Sequence, residues 1–208
     1  VLLHGFGAPG TDLVPLAQYL AAPPGTRFVF PQAPIDLGPT FAGGRAWWMI
    51  DMLALQQAMA LGTFRDLAET VPDGLTEARE QLAETLDAVD AELAPRALAL
   101  GGFSQGAMLA TDYALRSDRK LACMVLFSGT VIARPEWAPL MAKRAGIEVA
   151  QSHGQMDPIL PYAGAEQLRE MMEGAGWKVR FVSFPGQHEI PPRALEAAGD
   201  VLKSHLAG

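Results

Sequence analysis

Apolar and polar residues alternate along the chain in blocks whose lengths predict strands separated by helices. Short apolar runs bounded by turn residues predict strands at residues 1–3, 27–30, 97–101, 121–127, 147–152 and 177–183. Longer segments with apolar residues three or four positions apart predict helices at residues 12–22, 75–94, 105–116, 136–144, 162–174 and 192–206. Strands that alternate with helices form a parallel sheet covered by helices on both faces. We therefore expect an α/β fold in one domain spanning residues 1–208.

One segment breaks this alternation. Residues 39–72, called the lid segment below, are predicted to form a short cap or lid over the site. The stretch from Gly43 to Val71 is rich in Met and Trp, and such surfaces suit flexible apolar ligands. Trp47 and Trp48 either line a substrate pocket or pack the segment onto the core. The exposed side of the segment is also a candidate homodimer contact.

The pentapeptide Gly102-Phe103-Ser104-Gln105-Gly106 lies between a predicted strand and a predicted helix. A G-x-S-x-G sequence in this position is typical of a nucleophile elbow, a sharp turn that exposes a reactive serine. Glycine is needed on both sides because a Cβ there would collide with neighbouring backbone. Ser104 is therefore the predicted nucleophile, and a glycine-rich loop with a helix-capping serine is the alternative.

A serine nucleophile needs a general base, which follows it in the chain order of this class of enzyme. The chain has four histidines, at positions 4, 153, 188 and 205. His188 lies in a Gly/Pro-containing loop after the predicted strand at 177–183, where a base reaches over the carboxyl edge of the sheet. We expect His4 and His153 to make local hydrogen bonds that shape their loops, and His205 to lie on a surface helix.

The acid that orients the base should lie between Ser104 and His188. The acidic residues considered there are Asp112, Asp118, Glu136, Glu148, Asp157, Glu166, Glu170 and Glu173. Asp157 follows a strand-like run and sits in a turn before Pro158, which is the expected place. Most of the others fall on predicted helices or their flanks, where a solvated surface charge is expected.

The chain begins with an apolar strand that ends in His4-Gly5-Phe6-Gly7. A His-Gly loop in this position supplies one backbone N–H to an oxyanion hole, and the residue after the nucleophile supplies the other. The predicted donors are the backbone amides of Phe6 and Gln105.

Four short sequences, taken together and in order, resemble the phospholipase/carboxylesterase family of α/β-hydrolases, which includes acyl-protein thioesterases and small bacterial carboxylesterases. They are the His-Gly loop, the elbow, His153-Gly154-x-x-Asp157-Pro158 and Gly186-x-His188-Glu189-Ile190. The resemblance implies an α/β-hydrolase fold and a Ser104–His188–Asp157 triad with the Phe6 and Gln105 amides as the hole. It also implies one or two strands before the His-Gly strand, which this sequence does not contain.

Composition narrows the class of partner. The net charge of −7, with lysines and arginines scattered singly, argues against nucleic acid. No apolar run approaches the roughly 18 residues of a membrane span. The single cysteine, Cys123, lies in a predicted buried strand, where we expect inert packing; it fits a reducing compartment, and we expect a cytoplasmic protein. No histidine pair has the spacing of a metal site and no nucleotide-binding loop is present, so no metal and no cofactor are expected.

These residues predict a serine carboxylesterase acting on short-to-medium acyl esters. An acyl-thioesterase or lysophospholipase would use the same triad and differ only in its pocket. A catalytically inactive binding module is the alternative from another class, but it usually requires a lost triad member, and none is lost. Ser128, which also follows a strand, is a rival nucleophile without a second flanking glycine or an immediate helix.

Overall fold

The computed structural model describes residues 1–61, 63 and 67–207. Its strands are β1 (Leu2–Leu3), β2 (Ile35–Asp36), β3 (Arg45–Ala46), β4 (Ala99–Phe103), β5 (Cys123–Phe127), β6 (Glu148–Gly154) and β7 (Lys178–Phe184). Five of them form a parallel sheet in the order β1-β4-β5-β6-β7. The other two, β2 and β3, form an antiparallel pair. The parallel sheet expected from the alternating pattern is confirmed.

Helices cover both faces of the sheet. The α-helices are α1 (Met52–Ala60), α2 (Leu75–Leu93), α3 (Gln105–Arg116), α4 (Arg134–Trp137), α5 (Tyr162–Gly174) and α6 (Pro192–Leu206). Short 3-10 helices lie at Val14–Gln18, Pro39–Phe41 and Ala138–Arg144. Along β5, Met124 and Leu126 pack with α2, α3 and α5, whereas Val125 and Phe127 pack with α6 on the opposite face. This alternation along one strand explains why β5 is buried over its whole length.

Three predicted elements are wrong. The helix predicted at 136–144 is instead a single α-helical turn, Arg134–Trp137, followed by a 3-10 helix, Ala138–Arg144. The segment at 12–22 is not an α-helix; a five-residue 3-10 helix, Val14–Gln18, stands in its place. Leu13 and Leu20 at its ends are buried, so the predicted apolar face does pack against the core. The segment is too short to gain enough i→i−4 hydrogen bonds to form an α-helix. Residues 27–30 are not a strand, because a single hydrogen bond, from Leu2 N to Val29 O at 3.0 Å, links them to β1.

Asp112 corrects a further expectation. It lies on α3 with no exposed side-chain surface, although a solvated charge was expected for such helical carboxylates. Its carboxylate accepts hydrogen bonds from Arg79 Nη1 at 2.7 Å, Arg116 Nε at 3.0 Å and the Trp137 indole N–H at 2.8 Å. Asp112 therefore ties α2, α3 and α4 together on one face of the sheet. Every residue of α3 from Gln105 to Leu115 is buried, so the helix leaves no solvated face for a charge.

Replacing Asp112 with alanine is expected to destabilise the fold without touching the site. The change leaves the buried Trp137 N–H unpaired and removes the partner of two arginines, so the free energy of unfolding should fall by about 3 kcal/mol or more. Urea unfolding measures this. Asp118→Ala is the matched control, because Asp118 is 92% exposed and should leave the unfolding midpoint unchanged. Equal effects of the two substitutions would contradict this account of Asp112.

Candidate active site

The sharp turn between β4 and α3 carries Ser104. Its backbone has φ 55° and ψ −117°, a conformation that a residue with a Cβ rarely adopts. The turn is held by a hydrogen bond from Ser104 N to Phe127 O at 2.9 Å, while Ser104 O accepts hydrogen bonds from Ala107 N at 3.0 Å and Met108 N at 3.1 Å. Strain of this kind, placed between a strand and a helix, is the geometry of a nucleophile elbow.

The two glycines that flank Ser104 are required by close backbone contacts. A Cβ on Gly102 would lie 2.5 Å from Leu3 O, and one on Gly106 would lie 2.1 Å from the same oxygen and 2.7 Å from His4 O. Carbon and oxygen do not approach so closely without a bond. The predicted steric reason for both glycines is confirmed, and it shows that the end of β1 lies directly against the start of α3.

The His-Gly loop lies beside Ser104. A Cβ on Gly5 would be 3.4 Å from Ser104 Cβ, which places the Gly5–Phe6 peptide next to the serine. Neither Phe6 N nor Gln105 N donates a hydrogen bond to any residue in the described part of the chain. Both amides are thus available to an oxygen atom near Ser104, as an oxyanion hole requires.

His4 fixes the orientation of that peptide. Its Nδ1 lies 2.8 Å from Gly5 O, and its Nε2 accepts a hydrogen bond from Ala33 N at 3.0 Å, so the proton is on Nδ1. Burial lowers the pKa of His4 below its ordinary value, although the bond to Gly5 O and the charge of Asp12 oppose this. Because Gly5 C=O is directed towards His4, the Phe6 N–H of the same trans peptide is directed away from it. The expected local, loop-shaping role of His4 is confirmed.

Asp157 and His188 meet at the carboxyl ends of β6 and β7. His188 Nδ1 lies 2.6 Å from Asp157 Oδ2, and the His188 ring packs against the Phe103 ring with centroids 4.7 Å apart. Phe103 directly precedes Ser104, so the three predicted triad residues lie in adjoining loops. Among the described residues, Ser104 Oγ makes no hydrogen bond to His188; such bonds often tighten only when substrate is present.

Asp157 is held as an ionised carboxylate. Its side chain is fully buried, and Oδ1 accepts hydrogen bonds from Ile159 N at 2.8 Å and Leu160 N at 2.9 Å. Burial favours the neutral form and alone would raise the pKa of Asp157. The ring N–H groups of His153 and His188 and the Leu160 amide outweigh that effect and hold the pKa well below the usual range of a carboxyl.

A second glycine contact brings the His188 loop to Asp157. A Cβ on Gly154 would lie 2.1 Å from Gln187 O, so the two loops approach each other through bare backbone. Ser128 Oγ donates to Glu189 O at 3.2 Å and supports the same loop from β5. Ser128, the rival nucleophile, is fully buried in this supporting contact.

The Gln105 side chain has a role that sequence reasoning missed. It is buried, accepts a hydrogen bond from Trp47 N at 3.0 Å and donates one to Trp48 O at 2.8 Å. Trp47 and Trp48 are themselves 4% and 3% exposed, and the Trp47 indole N–H donates to His4 O at 2.9 Å. These contacts pack the lid segment onto the elbow and onto the His-Gly loop at once.

Other predicted features are placed as follows. Cys123 is buried in β5, where burial, with the nearby charge of Glu148, raises the pKa of its thiol to about 12, so the expected inert packing is confirmed. Within residues 1–61, 63 and 67–207, no group of three or more His, Cys, Asp or Glu side chains is placed to hold a metal ion. Over the same residues, every helix is too short or too polar to cross a membrane.

Comparison with known proteins decides the family. Residues 1–206 match the phospholipase/carboxylesterase family. The chain belongs to that family. Acyl-protein thioesterase 1 of Eremothecium gossypii is 30% identical over 214 residues, covering 99% of this chain and 87% of the relative. Acyl-protein thioesterase 1 of Saccharomyces cerevisiae is 29% identical over 223 residues, covering 100% and 92%.

The same result comes from solved structures. The crystal structure of esterase PE8 superimposes with a TM-score of 0.80 and 31% identity, covering 99% of this chain and 91% of that one. The predicted resemblance and the α/β-hydrolase fold are therefore confirmed. As a member of the phospholipase/carboxylesterase family, the protein is a hydrolase.

The contact between α3 and β1 provides a first test of the site geometry. Gly106→Ala forces a Cβ against Leu3 O and should lower the free energy of unfolding by roughly 3 kcal/mol or more. Gly174→Ala is the matched control in α5, since its Cβ would meet nothing within 4 Å; it should leave stability unchanged or raise it by about 0.5–1 kcal/mol. Thermal or urea unfolding measures both. A stable Gly106→Ala protein would contradict the close approach.

The low pKa of Asp157 predicts how acid affects stability. An unfolded aspartate has a pKa of about 3.9. Because the native value is lower, the carboxylate stabilises the fold fully above about pH 4, and this contribution is lost as the pH falls through the native pKa. Asp157→Asn lacks it at every pH, so the stability difference between wild type and variant should narrow from pH 5 to pH 3. Urea unfolding at each pH measures this difference in the free energy of unfolding. A difference that widens from pH 5 to pH 3 would contradict a lowered native pKa of Asp157.

Proposed function

We propose that this hydrolase is a serine carboxylesterase that cleaves short-to-medium acyl esters through an acyl-Ser104 intermediate. The observation that carries the proposal is the strained backbone of Ser104 between β4 and α3, beside a His188–Asp157 pair joined at 2.6 Å. The pair φ 55° and ψ −117° lies outside the left-handed helical region and costs stability, and strain of this kind clusters at active sites. Family membership supports the reaction class, and the arrangement of residues supports the mechanism.

In the first half of the proposed reaction, His188 Nε2 takes the proton of Ser104 Oγ as that oxygen attacks the ester carbonyl carbon. Asp157 keeps the His188 proton on Nδ1 and stabilises the imidazolium that forms. The C–O bond to the alcohol then breaks, and His188 returns its proton to the departing alkoxide. The acyl group remains on Ser104 as an ester.

In the second half, His188 removes a proton from water as the water oxygen attacks the acyl-Ser104 carbonyl. The bond to Ser104 Oγ breaks, the serine regains its proton from His188, and the carboxylic acid leaves. Both tetrahedral intermediates place a negative oxygen between the Phe6 and Gln105 amides. A donor of this kind is worth on the order of 10²–10³ in rate.

Residues 39–72 act in this proposal as a lid within a single domain spanning residues 1–208. Both ends of the lid segment are tied to the core: Trp47 and Trp48 to the Gln105 side chain, and Ala68 to Arg134 N through its carbonyl. Between these anchors lie three large apolar side chains that are mostly exposed, Met49, Leu53 and Leu61. An apolar substrate crossing this surface gives such side chains a partner.

A cavity of about 540 Å³ is the candidate site for the acyl group in this proposal. It lies between the inner end of the lid segment and the residues that follow β5 and β6, and its lining includes Leu67, Thr130, Val131 and Pro161. This volume falls within the range typical of small-molecule sites. The lining also includes Glu166 and Glu170 and none of Ser104, Asp157 and His188, so the acyl chain of the ester is proposed to reach this cavity from the adjoining elbow.

A second candidate function is acyl-thioester hydrolysis. It is favoured by one observation, that the curated relatives at 30% and 29% identity are named acyl-protein thioesterase 1. The proposed triad and hole serve either reaction, because the acyl-serine intermediate is the same. A lysophospholipase would likewise keep the triad and differ in the pocket, where each methylene is worth about 1–3 kcal/mol.

The function is tested by kcat/KM for p-nitrophenyl esters from acetate to palmitate, alongside acyl-thioesters of matched chain length. We expect an optimum at short-to-medium acyl esters, because methylenes that extend past the proposed pocket gain no burial. Ser104→Ala should abolish turnover of every substrate, whereas Ser117→Ala, a change at the far end of α3, should retain it.

Two results would redirect the proposal. Thioesters preferred over esters at every chain length would move the assignment to a thioesterase. Turnover retained by folded Ser104→Ala would remove Ser104 as the nucleophile and contradict the mechanism.

A further inference from the structure

The Asp157 carboxylate has contacts on both oxygens, and one of its neighbours is a second histidine. His153 Nε2 lies 3.3 Å from Asp157 Oδ2, the same oxygen that His188 binds, and 3.0 Å from Leu160 O. We propose that His153 is a positioning residue that holds Asp157 on the line to His188. The inference rests on the proposed triad and assigns a role to a residue that the mechanism itself does not use.

His153 lies in a strand that is hydrogen-bonded in register to its neighbour. It is the sixth residue of the seven-residue strand β6 and pairs in register with Ser183 of β7. Its side chain has no exposed surface, and the Tyr162 ring packs near it with centroids 6.3 Å apart. A side chain so enclosed cannot change rotamer without moving its neighbours, so its Nε2 is a fixed reference point for the loop that follows.

The contacts of the ring assign its proton. Leu160 O and Asp157 Oδ2 are both acceptors, so the proton lies on Nε2, between the strand and the Asp157 loop. Nδ1 is buried and has no hydrogen-bond partner in the described part of the chain. Burying an unpaired ring nitrogen costs about 1–3 kcal/mol, and an apolar ring would avoid that cost. The Nε2 side of the ring is therefore what a buried histidine contributes here.

The Asp157 loop is closed by a short cycle of contacts. His153 Nε2 donates to Leu160 O, and Leu160 N donates to Asp157 Oδ1 at 2.9 Å. The same imidazole N–H lies beside Oδ2, which is the oxygen that holds His188 at 2.6 Å. Without His153, the amides still hold Oδ1, but Oδ2 keeps only His188 as its partner. The carboxylate plane is then less restrained in rotation, and the His188 ring moves with it.

Three substitutions at position 153 separate positioning from packing. His153→Phe keeps an aromatic ring and removes the N–H. His153→Gln places an amide N–H near the position of Nε2, whereas His153→Asn places one near Nδ1 and leaves the Asp157 side empty. We expect kcat for a p-nitrophenyl ester to fall about tenfold or more in His153→Phe and His153→Asn, with KM within about twofold, since a misdirected base slows chemistry and not binding. His153→Gln should recover most of the loss.

A matched control uses the other histidine that meets a carboxylate. His205 Nε2 on α6 lies 2.9 Å from Glu148 Oε2, at the opposite end of β6 from the site. His205→Phe makes the same chemical change there and should leave kcat unaltered. Thermal unfolding of every variant shows whether it is folded at the assay temperature; if His153→Phe is not, the comparison of His153→Gln with His153→Asn carries the test alone.

The outcomes separate this inference from the proposed function. An inactive wild type, or an active Ser104→Ala, would overturn the serine mechanism and the inference with it. An active wild type with kcat unchanged in folded His153→Asn and His153→Phe would overturn the positioning role alone. A loss that is equal in His153→Gln and His153→Asn would likewise overturn it, because it would report packing and not the donor.

Discussion

The approach of β1 to the start of α3 is the contact on which the site depends. Gly106 lets the backbone of α3 come so near Leu3 O that a Cβ would lie 2.1 Å from that oxygen. This approach sets Ser104 against Gly5, beside the peptide that carries the Phe6 N–H. A methyl group at position 106 would push the two elements apart, and no side-chain adjustment could restore the alignment, because the conflict is with backbone atoms.

A second glycine allows a similarly close backbone approach between β6 and the loop that carries His188. Gly154 lets the His188 loop approach the end of β6 through bare backbone, as Gly106 does for α3 and β1. Around these contacts, buried polar side chains fix the peptides that matter: His4 holds the Gly5–Phe6 peptide, and Gln105 holds the backbone of Trp47. The site is thus positioned by hydrogen bonds to backbone, which depend little on solvent because the groups are buried.

Strong periodicity and local chemistry were sufficient to predict most of the fold. Helices α3, α5 and α6 begin and end at the predicted residues, because each carries an apolar face and a clear boundary, such as the elbow before Gln105. Residues 12–22 and 27–30 were mispredicted because their secondary structure depends on how many backbone hydrogen-bond partners lie nearby in the fold. The local order of apolar and polar residues does not determine that number. The placement of the lid segment depends on tertiary contacts in the same way.

The proposed site could be derived from the sequence only where its residues lie in recognisable local motifs. A nucleophile elbow and a late His loop are local sequences, so Ser104 and His188 could be selected from the amino-acid sequence alone. The supporting polar groups could not, since Gln105 meets Trp47 across 58 positions of chain and Asp112 meets Arg79 across 33. His153 lies between these cases: it was expected to bond locally, but its contact with Asp157 Oδ2 depends on the path of the intervening loop.

The most direct test of the central claim is where an active-site-directed reagent reacts. Wild-type protein treated with a fluorophosphonate should gain the mass of one adduct, and peptide mapping should place it on Ser104, because the strained turn between β4 and α3 makes Ser104 the proposed nucleophile. An adduct on Ser128 or on another residue, or no adduct on folded protein, would contradict the account.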